Sequence, residues 1–217
     1  DPAIVHYKTY HLTGGTLDLL STTTIDYMQN SDEIISEINY KYNYDYHYNV
    51  DRIEQKDSYN NILKTKNYFA LDLSNQELIN KRILETPLIT ETFKNGEKLS
   101  TQETTYKDWD FDPNKVLLAP QFIKTSKGTA PLETRIIYNL VDFSSGNPIE
   151  VQKEGGTHIC YIWGYNKTHP IAKIENATYN DIQPFEANLQ AFNGTNEQGL
   201  ITALNNLRTA LPNAMVT

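Results

Sequence analysis

The chain has 217 residues, enough for one β-rich domain that buries its own core without disulfides or metals. Its formal net charge is −8 and it has no Lys/Arg-rich run, which argues against nucleic acids and anionic membranes as partners. No apolar run approaches the roughly 20 residues of a membrane helix, so direct membrane insertion is not expected either.

The first part of the chain is predicted to consist of strands. Ala3–Tyr10 alternates loosely between apolar and polar residues, and a Thr-Gly-Gly-Thr turn follows at residues 13–16. Leu17–Met28 is rich in Thr, Leu and Ile, which suit a pleated surface. A hairpin-like beginning is therefore expected before the most regular pattern of the chain.

That pattern lies in residues 34–49, where tyrosines alternate with polar residues. A period of two places alternate side chains on one face of a strand, so one continuous strand with a tyrosine face is predicted. The candidate interaction surface comprises Tyr40, Tyr42, Tyr44, Tyr46 and Tyr48. Packing of this face against a neighbouring repeat is favoured, and a stacking platform for glycans or a partner strand is the alternative.

The middle of the chain is predicted to continue as strands with one short helix. Arg52–Lys56 and Ile62–Leu73 are strand-like and flank a turn. Ser74–Glu77 has the form of a capping box, which predicts a short helix to about Leu84. Asn95-Gly96 between two β-like runs predicts a hairpin.

Strands are then predicted every 10 to 15 residues, joined by short glycine-containing turns. They comprise residues 116–125, 134–142, 149–153 and 157–165. The single cysteine, Cys160, lies in the last of these and is expected to be a buried small hydrophobe. The fold class is accordingly mainly β, with consecutive antiparallel hairpins in an extended or curled sheet across residues 1–178.

The pattern changes to helical spacing in residues 179–217. Thr178 is predicted to cap a first helix, Asn193-Gly194 to end it, and residues 195–198 to start a second. Apolar residues recur at positions that share one stripe of each helix: Ile182, Phe185, Leu189 and Phe192, then Leu200, Leu204, Leu207 and Leu211. We expect a helical hairpin docked on the sheet.

Several stretches resemble tyrosine-rich YD (RHS-type) repeats. In residues 138–161 a tyrosine, Asp142, a Gly-Asn turn at 146–147 and a strand ending in Tyr161 follow that pattern. Residues 43–68 match it more loosely, because Asn60-Asn61 stands where Gly-Asn is expected. Residues 161–178 are similar to a block of large secreted RHS-repeat proteins of Bacteroidota, and the resemblance extends over about residues 85–217.

The resemblance implies secretion or display at the cell surface, through the type IX route, and a longer parent protein. It also implies a role as scaffold, surface protein or toxin-carrier shell, in which such units bury their faces by stacking on neighbours. The expected partners are neighbouring repeats of the parent chain or other secreted or surface proteins. A carbohydrate-binding or adhesive module is the alternative, with glycans as partners, and a glycosidase-like enzyme comes third.

Little else in the sequence indicates chemistry, so neither catalytic residues nor a cofactor is expected. Asp108, Asp110 and Asp112 alternate around Trp109, which resembles the start of a calcium loop or part of a sugar site, but a solvated acidic loop is favoured. A glycosidase needs two carboxylates across a cleft. The five histidines lack metal-ligand spacing and are interpreted as surface or turn residues: His6, His11, His47, His158 and His169.

Overall fold

The structure is a computed structural model that describes residues 14–15, 17–28, 33–57, 59–110, 112, 115–192 and 196–217. Its strands are β1 (Ser21–Tyr27), β2 (Glu33–Tyr42), β3 (Val50–Lys56), β4 (Ile62–Tyr68), β5 (Ile89–Lys94), β6 (Glu97–Asp108), β7 (Leu118–Lys127), β8 (Glu133–Val141), β9 (Pro148–Lys153), β10 (His158–Gly164), β11 (His169–Glu175) and β12 (Met215–Val216). Its helices are α1 (Gln76–Asn80), α2 (Tyr179–Gln190) and α3 (Glu197–Ala210).

The twelve strands form one antiparallel sheet in which each strand pairs with the next along the chain. The predicted fold class, consecutive antiparallel hairpins followed by a helical pair, is confirmed. Among the described residues β1 and β12 form opposite edges, so the sheet is open. No described helix combines the length and apolar character that crossing a membrane requires.

Local turn chemistry places the predicted hairpin at residues 95–96. Asn95 and Gly96 have φ values of 51° and 87°, the left-handed conformations that a tight turn between twisted strands requires.

The predicted short helix is displaced and shorter than expected. Its cap is Asn75, whose side chain accepts from the Leu78 N–H at 3.2 Å. It ends at Asn80, because the chain turns into a left-handed conformation at Arg82, with φ 58°.

The larger core lies at the C-terminal end of the sheet. Ile162 of β10 and Ile174 of β11 pack with residues of α2 and α3, and the fully buried helix residues are Ile182, Leu189 and Leu207. The Asp181 carboxylate accepts from the Thr178 N–H at 2.8 Å, as the predicted cap requires. The chain after α3 returns to the sheet as β12, a strand that was not predicted, and places Val216 opposite Ile174.

As far as the structure describes the chain, the other end of the sheet is a single layer. A smaller core covers its middle, where Leu78 of α1 packs with Leu88 and Tyr106. Every residue of β1 is exposed, and Ile25 of β1 stands opposite Ile35 of β2 with both side chains in solvent. The core is therefore concentrated away from the first hairpin.

Candidate functional site

The tyrosine segment is half strand and half turn. Strand β2 ends at Tyr42, and the His47 N–H donates to the Asn43 carbonyl at 2.9 Å. The predicted continuous strand through Tyr48 is therefore wrong. Asn and Asp side chains stabilise turns by bonding to nearby groups, and here this local chemistry prevails over the alternating pattern.

A half-buried carboxylate, that of Asp72, fixes the shape of this turn. Asp72 Oδ1 accepts from the Asn43 side-chain amide at 3.2 Å, and Oδ2 accepts from the Phe69 N–H at 2.9 Å and from His47 Nε2 at 3.0 Å. His47 Nδ1 accepts from the Asn49 N–H at 3.2 Å, which assigns the ring proton to Nε2.

His47 is a turn residue, one of the two predicted alternatives, but it does not lie at the surface. Its side chain is buried, with the whole residue 6% exposed, and its ring lies edge-on to Phe69 at 4.7 Å. The partner that draws the imidazole inward, Asp72, lies 25 residues further along the chain. Because the two residues lie so far apart in the chain, a short-range sequence pattern does not predict that His47 and Asp72 pair.

Three of the five candidate tyrosines form one aromatic cluster. The rings of Tyr42 and Tyr44 stack with centroids 5.7 Å apart, and Tyr48 lies 5.8 Å from Tyr44 at a tilt of 58°. The Tyr42 hydroxyl donates to the Leu19 carbonyl at 3.0 Å, and the Tyr44 hydroxyl donates to Asp18 at 2.8 Å. The bond to Asp18 raises the pKa of Tyr44. The cluster thus ties residues 17–20 to the turn.

The other two tyrosines lie apart from the cluster. Tyr40 is half-buried in the sheet opposite Ile53. Tyr46 is 64% exposed and stands between two clefts. The first cleft has an empty volume of about 730 Å³ with its open mouth, and its lining includes Asn43, Tyr46, Asp51, Asn67, Tyr68 and Asp72. The second cleft measures about 640 Å³, and its lining includes Tyr44, Asp45, Tyr46, Tyr48, Asn49 and Glu85.

One carboxylate oxygen in the first cleft has no partner among the described residues. Asp51 Oδ1 is buried there without a hydrogen bond. The register explains its position: Lys41 pairs with Arg52 and Tyr42 pairs with Val50, so Asp51 is the extra residue of a bulge in β3. Bulges redirect side chains, and a buried acceptor without a donor costs free energy. The bulge therefore leaves one carboxylate oxygen of a cleft-lining residue without a donor among the described residues.

In the acidic loop around Trp109, the carboxylates accept hydrogen bonds from backbone N–H groups of the same loop and of the segment after it. Asp108 Oδ1 accepts from the N–H groups of Asp110 and Leu117 at 3.0 and 2.9 Å, and Asp110 Oδ1 accepts from the Asp112 N–H at 2.9 Å. Trp109 is buried and donates to the Ala119 carbonyl at 3.2 Å, so it belongs to the core and offers no open ring to a sugar. Across the described part of the chain, His, Cys, Asp and Glu residues form no group of three or more that could hold a metal.

A second polar network, which sequence reasoning missed, joins the sheet to α2. Glu150 of β9 is buried; its Oε1 contacts His158 Nδ1 at 2.6 Å, and its Oε2 accepts from the Tyr179 N–H at 2.7 Å. Beside it, the Cys160 thiol is fully buried and donates to the Ala177 carbonyl at 3.2 Å. Burial raises the pKa of Cys160 to about 12, and the prediction that this cysteine is buried is confirmed.

The YD-like stretch runs from β8 through β9 into β10, and Asp142 organises the β8–β9 turn. Its Oδ1 accepts from the Ser144 N–H at 2.8 Å, and its Oδ2 contacts the ammonium of Lys167 in the β10–β11 turn. The Asn147 amide donates to the Lys167 carbonyl at 2.6 Å, so two neighbouring turns are tied together.

Outside the tyrosine turn, His158 lies in β10 and His169 at the start of β11, where its Nδ1 contacts the Thr168 hydroxyl at 2.9 Å. Several predictions fall on residues outside the described ranges: His6, His11, the strand over residues 3–10 and the helix stop at Asn193-Gly194.

Comparison of the chain with protein-family models, with curated proteins and with solved structures found no match.

Proposed function

We propose that this chain is a non-enzymatic structural and interaction segment of a larger secreted or cell-surface protein of the RHS-repeat type. In that protein its sheet continues into neighbouring hairpins, as part of a scaffold or toxin-carrier shell. The observation that carries the proposal is the edge at β1, which, among the described residues, is a fully exposed strand without a second partner, bordering a single-layer part of the sheet.

The edge has the composition of a strand that receives a partner. Free edges invite pairing, and proteins protect them with lysine, proline or bulges. Strand β1 contains neither lysine nor proline, and its seven-residue pairing with β2 has no register shift. Ile25 and Ile35 are exposed on one face of this hairpin, and Ile34 is exposed on the other. A neighbouring hairpin of the parent protein would satisfy the edge and cover apolar side chains.

In the two clefts beside the tyrosine turn, the carboxylates do not form the pair that glycoside hydrolysis uses. That reaction needs two carboxyl groups across a cleft, one of them kept protonated by an apolar environment. Asp51 and Asp72 share the first cleft, but both oxygens of Asp72 already hold the tyrosine turn. Asp45 and Glu85 share the second cleft, and both are exposed to water. Neither pair combines a free carboxylate with a buried acid.

The test compares β1 in two settings. Mass spectrometry of the protein purified from its source shows whether its peptides extend beyond these 217 residues, and hydrogen exchange then follows the amides of β1. We expect slow exchange of β1 in the native protein and fast exchange in the isolated chain, because a partner strand protects edge amides. A native protein that ends with this chain, or equally fast exchange in both, would overturn the proposal.

A further inference from the structure

We propose that the tyrosine turn is also a binding site for a neutral glycan chain, held in the first cleft and stacked on Tyr46. This inference concerns a ligand and does not depend on how the sheet edge is paired. It rests on three features of the described residues: an open aromatic ring, an unpaired buried acceptor beside it, and a rigid backbone beneath both.

Tyr46 supplies the aromatic surface. Its ring is 64% exposed and borders both clefts, while its own N–H is engaged with the Asn43 carbonyl at 3.2 Å. The apolar C–H face of a sugar ring packs on such a surface, and the phenol hydroxyl remains able to bond at the rim. Because Tyr46 lines both clefts, a chain of linked sugars that stacks on it could extend from one cleft into the other.

Asp51 supplies the polar contact. Asp51 lines the first cleft; its Oδ1 has almost no exposed surface and, among the described residues, accepts no hydrogen bond. Sugar hydroxyls are donors, and hydrogen bonds to an ionised acceptor are stronger than bonds between neutral groups. A few well-placed polar groups beside an aromatic wall are the usual composition of a small-ligand site. A rotation of the Asp51 side chain would bring this oxygen into the cleft, where a glycan hydroxyl would satisfy it.

The backbone beneath the site is held in place before any ligand arrives. Asp72 accepts three hydrogen bonds from Asn43, His47 and Phe69, and the Asn49 amide donates to the Leu84 carbonyl at 2.8 Å. A rigid loop loses little conformational entropy on binding, which favours affinity for a weakly interacting ligand such as a sugar.

The charge of the site selects among glycans. Asp51 and Asp72 line the first cleft with one cation, Lys66, and Asp45 and Glu85 line the second. The whole chain carries a formal net charge of −8. Uronic or sulfated polysaccharides would meet like charge at the site, whereas neutral sugars would not. The expected ligands are accordingly neutral hexose or pentose chains.

Affinity electrophoresis tests the proposal with defined polysaccharides. The 217-residue chain is run through gels containing β-glucan, xylan, mannan or galactan, and in parallel gels containing alginate or polygalacturonate. We expect retardation by at least one neutral polymer and by neither acidic one. For the neutral polymer, Tyr46→Ala should weaken binding by about tenfold or more, and Tyr46→Phe should keep it, because the ring is the platform.

Two further variants separate ligand binding from folding. Tyr59→Ala removes a tyrosine that is 85% exposed in the β3–β4 turn, and it should bind like the wild type. Asp51→Asn should weaken binding by about tenfold without lowering the thermal midpoint, because the oxygen it replaces bonds to no described residue. Retardation by no neutral polymer, stronger binding to an acidic one, or unchanged binding by Tyr46→Ala would each overturn the proposal.

Discussion

Asp142 shows how one carboxylate organises two turns and makes stability depend on pH. Burial by itself would raise the pKa of Asp142, but hydrogen bonds from Lys167 and Ser144 outweigh burial and hold the pKa below its ordinary value. A carboxyl group with a lowered folded pKa stabilises the protein above its unfolded pKa. That contribution is lost as the pH falls through the folded pKa.

Replacing this carboxylate should reveal its contribution. Asp142→Asn keeps the size of the side chain but removes the charge that faces Lys167. At pH 7 we expect the variant to unfold about 1–3 kcal/mol more easily, the usual cost of losing a charged hydrogen bond. The difference should shrink below about pH 3.9, the unfolded pKa of aspartate, and vanish below the folded pKa. Urea unfolding across this pH range measures it, and an equal difference at every pH would contradict it.

At the scale of elements, α3 is held to the sheet by its buried leucine stripe. Leu207 is fully buried in the C-terminal core, whereas Ile201 of the same helix is 41% exposed. Leu207→Ala should lower the free energy of unfolding by about 2–5 kcal/mol, because it removes packed methylene groups and leaves a cavity. Ile201→Ala is the matched control and should cost much less. Chemical denaturation of both variants checks this, and similar losses would show that α3 is not docked as described.

In the tyrosine segment, the alternating sequence pattern predicts a strand that is longer than the one in the structure. A period of two from Tyr40 to Tyr48 predicts a strand, and the strand does run to Tyr42. Beyond that point the chain is governed by Asp72, which draws Asn43 and His47 into a turn. Side-chain periodicity predicts which face a residue would occupy in a strand. It does not predict that a residue far along the chain, Asp72, will end the strand.

At the scale of the whole molecule, stability should fall along the sheet from β11 to β1. Strands β10 and β11 lie under two helices and contain fully buried isoleucines, whereas β1 is exposed along its whole length. Regions with few buried apolar contacts open more easily than the core. In the isolated chain we expect amides of β1 to exchange fastest among the strands and those of β10 to exchange slowest. Hydrogen exchange read by mass spectrometry measures this order, and uniform protection would contradict it.

The sequence by itself determined the features that depend on neighbouring residues. The hairpin at Asn95-Gly96, the cap at Thr178 and the mainly β character all follow from backbone preferences within a few positions. Cys160 was likewise expected to be buried, because it lies in a short apolar strand. Such features can be predicted from the sequence because the interactions that stabilise them join residues close together in the chain.

Only the tertiary structure decided the features that depend on distant contacts. His47 is buried because Asp72 meets it, and β12 forms because the chain returns to β11 after two helices. Asp51 stands opposite no residue of β2 because the pairing of β2 and β3 shifts register there. Each of these features depends on a contact between residues that are distant in the sequence or on the register of two strands. A hydrogen bond depends on distance and angle in space, and neither quantity is contained in the spacing along the chain.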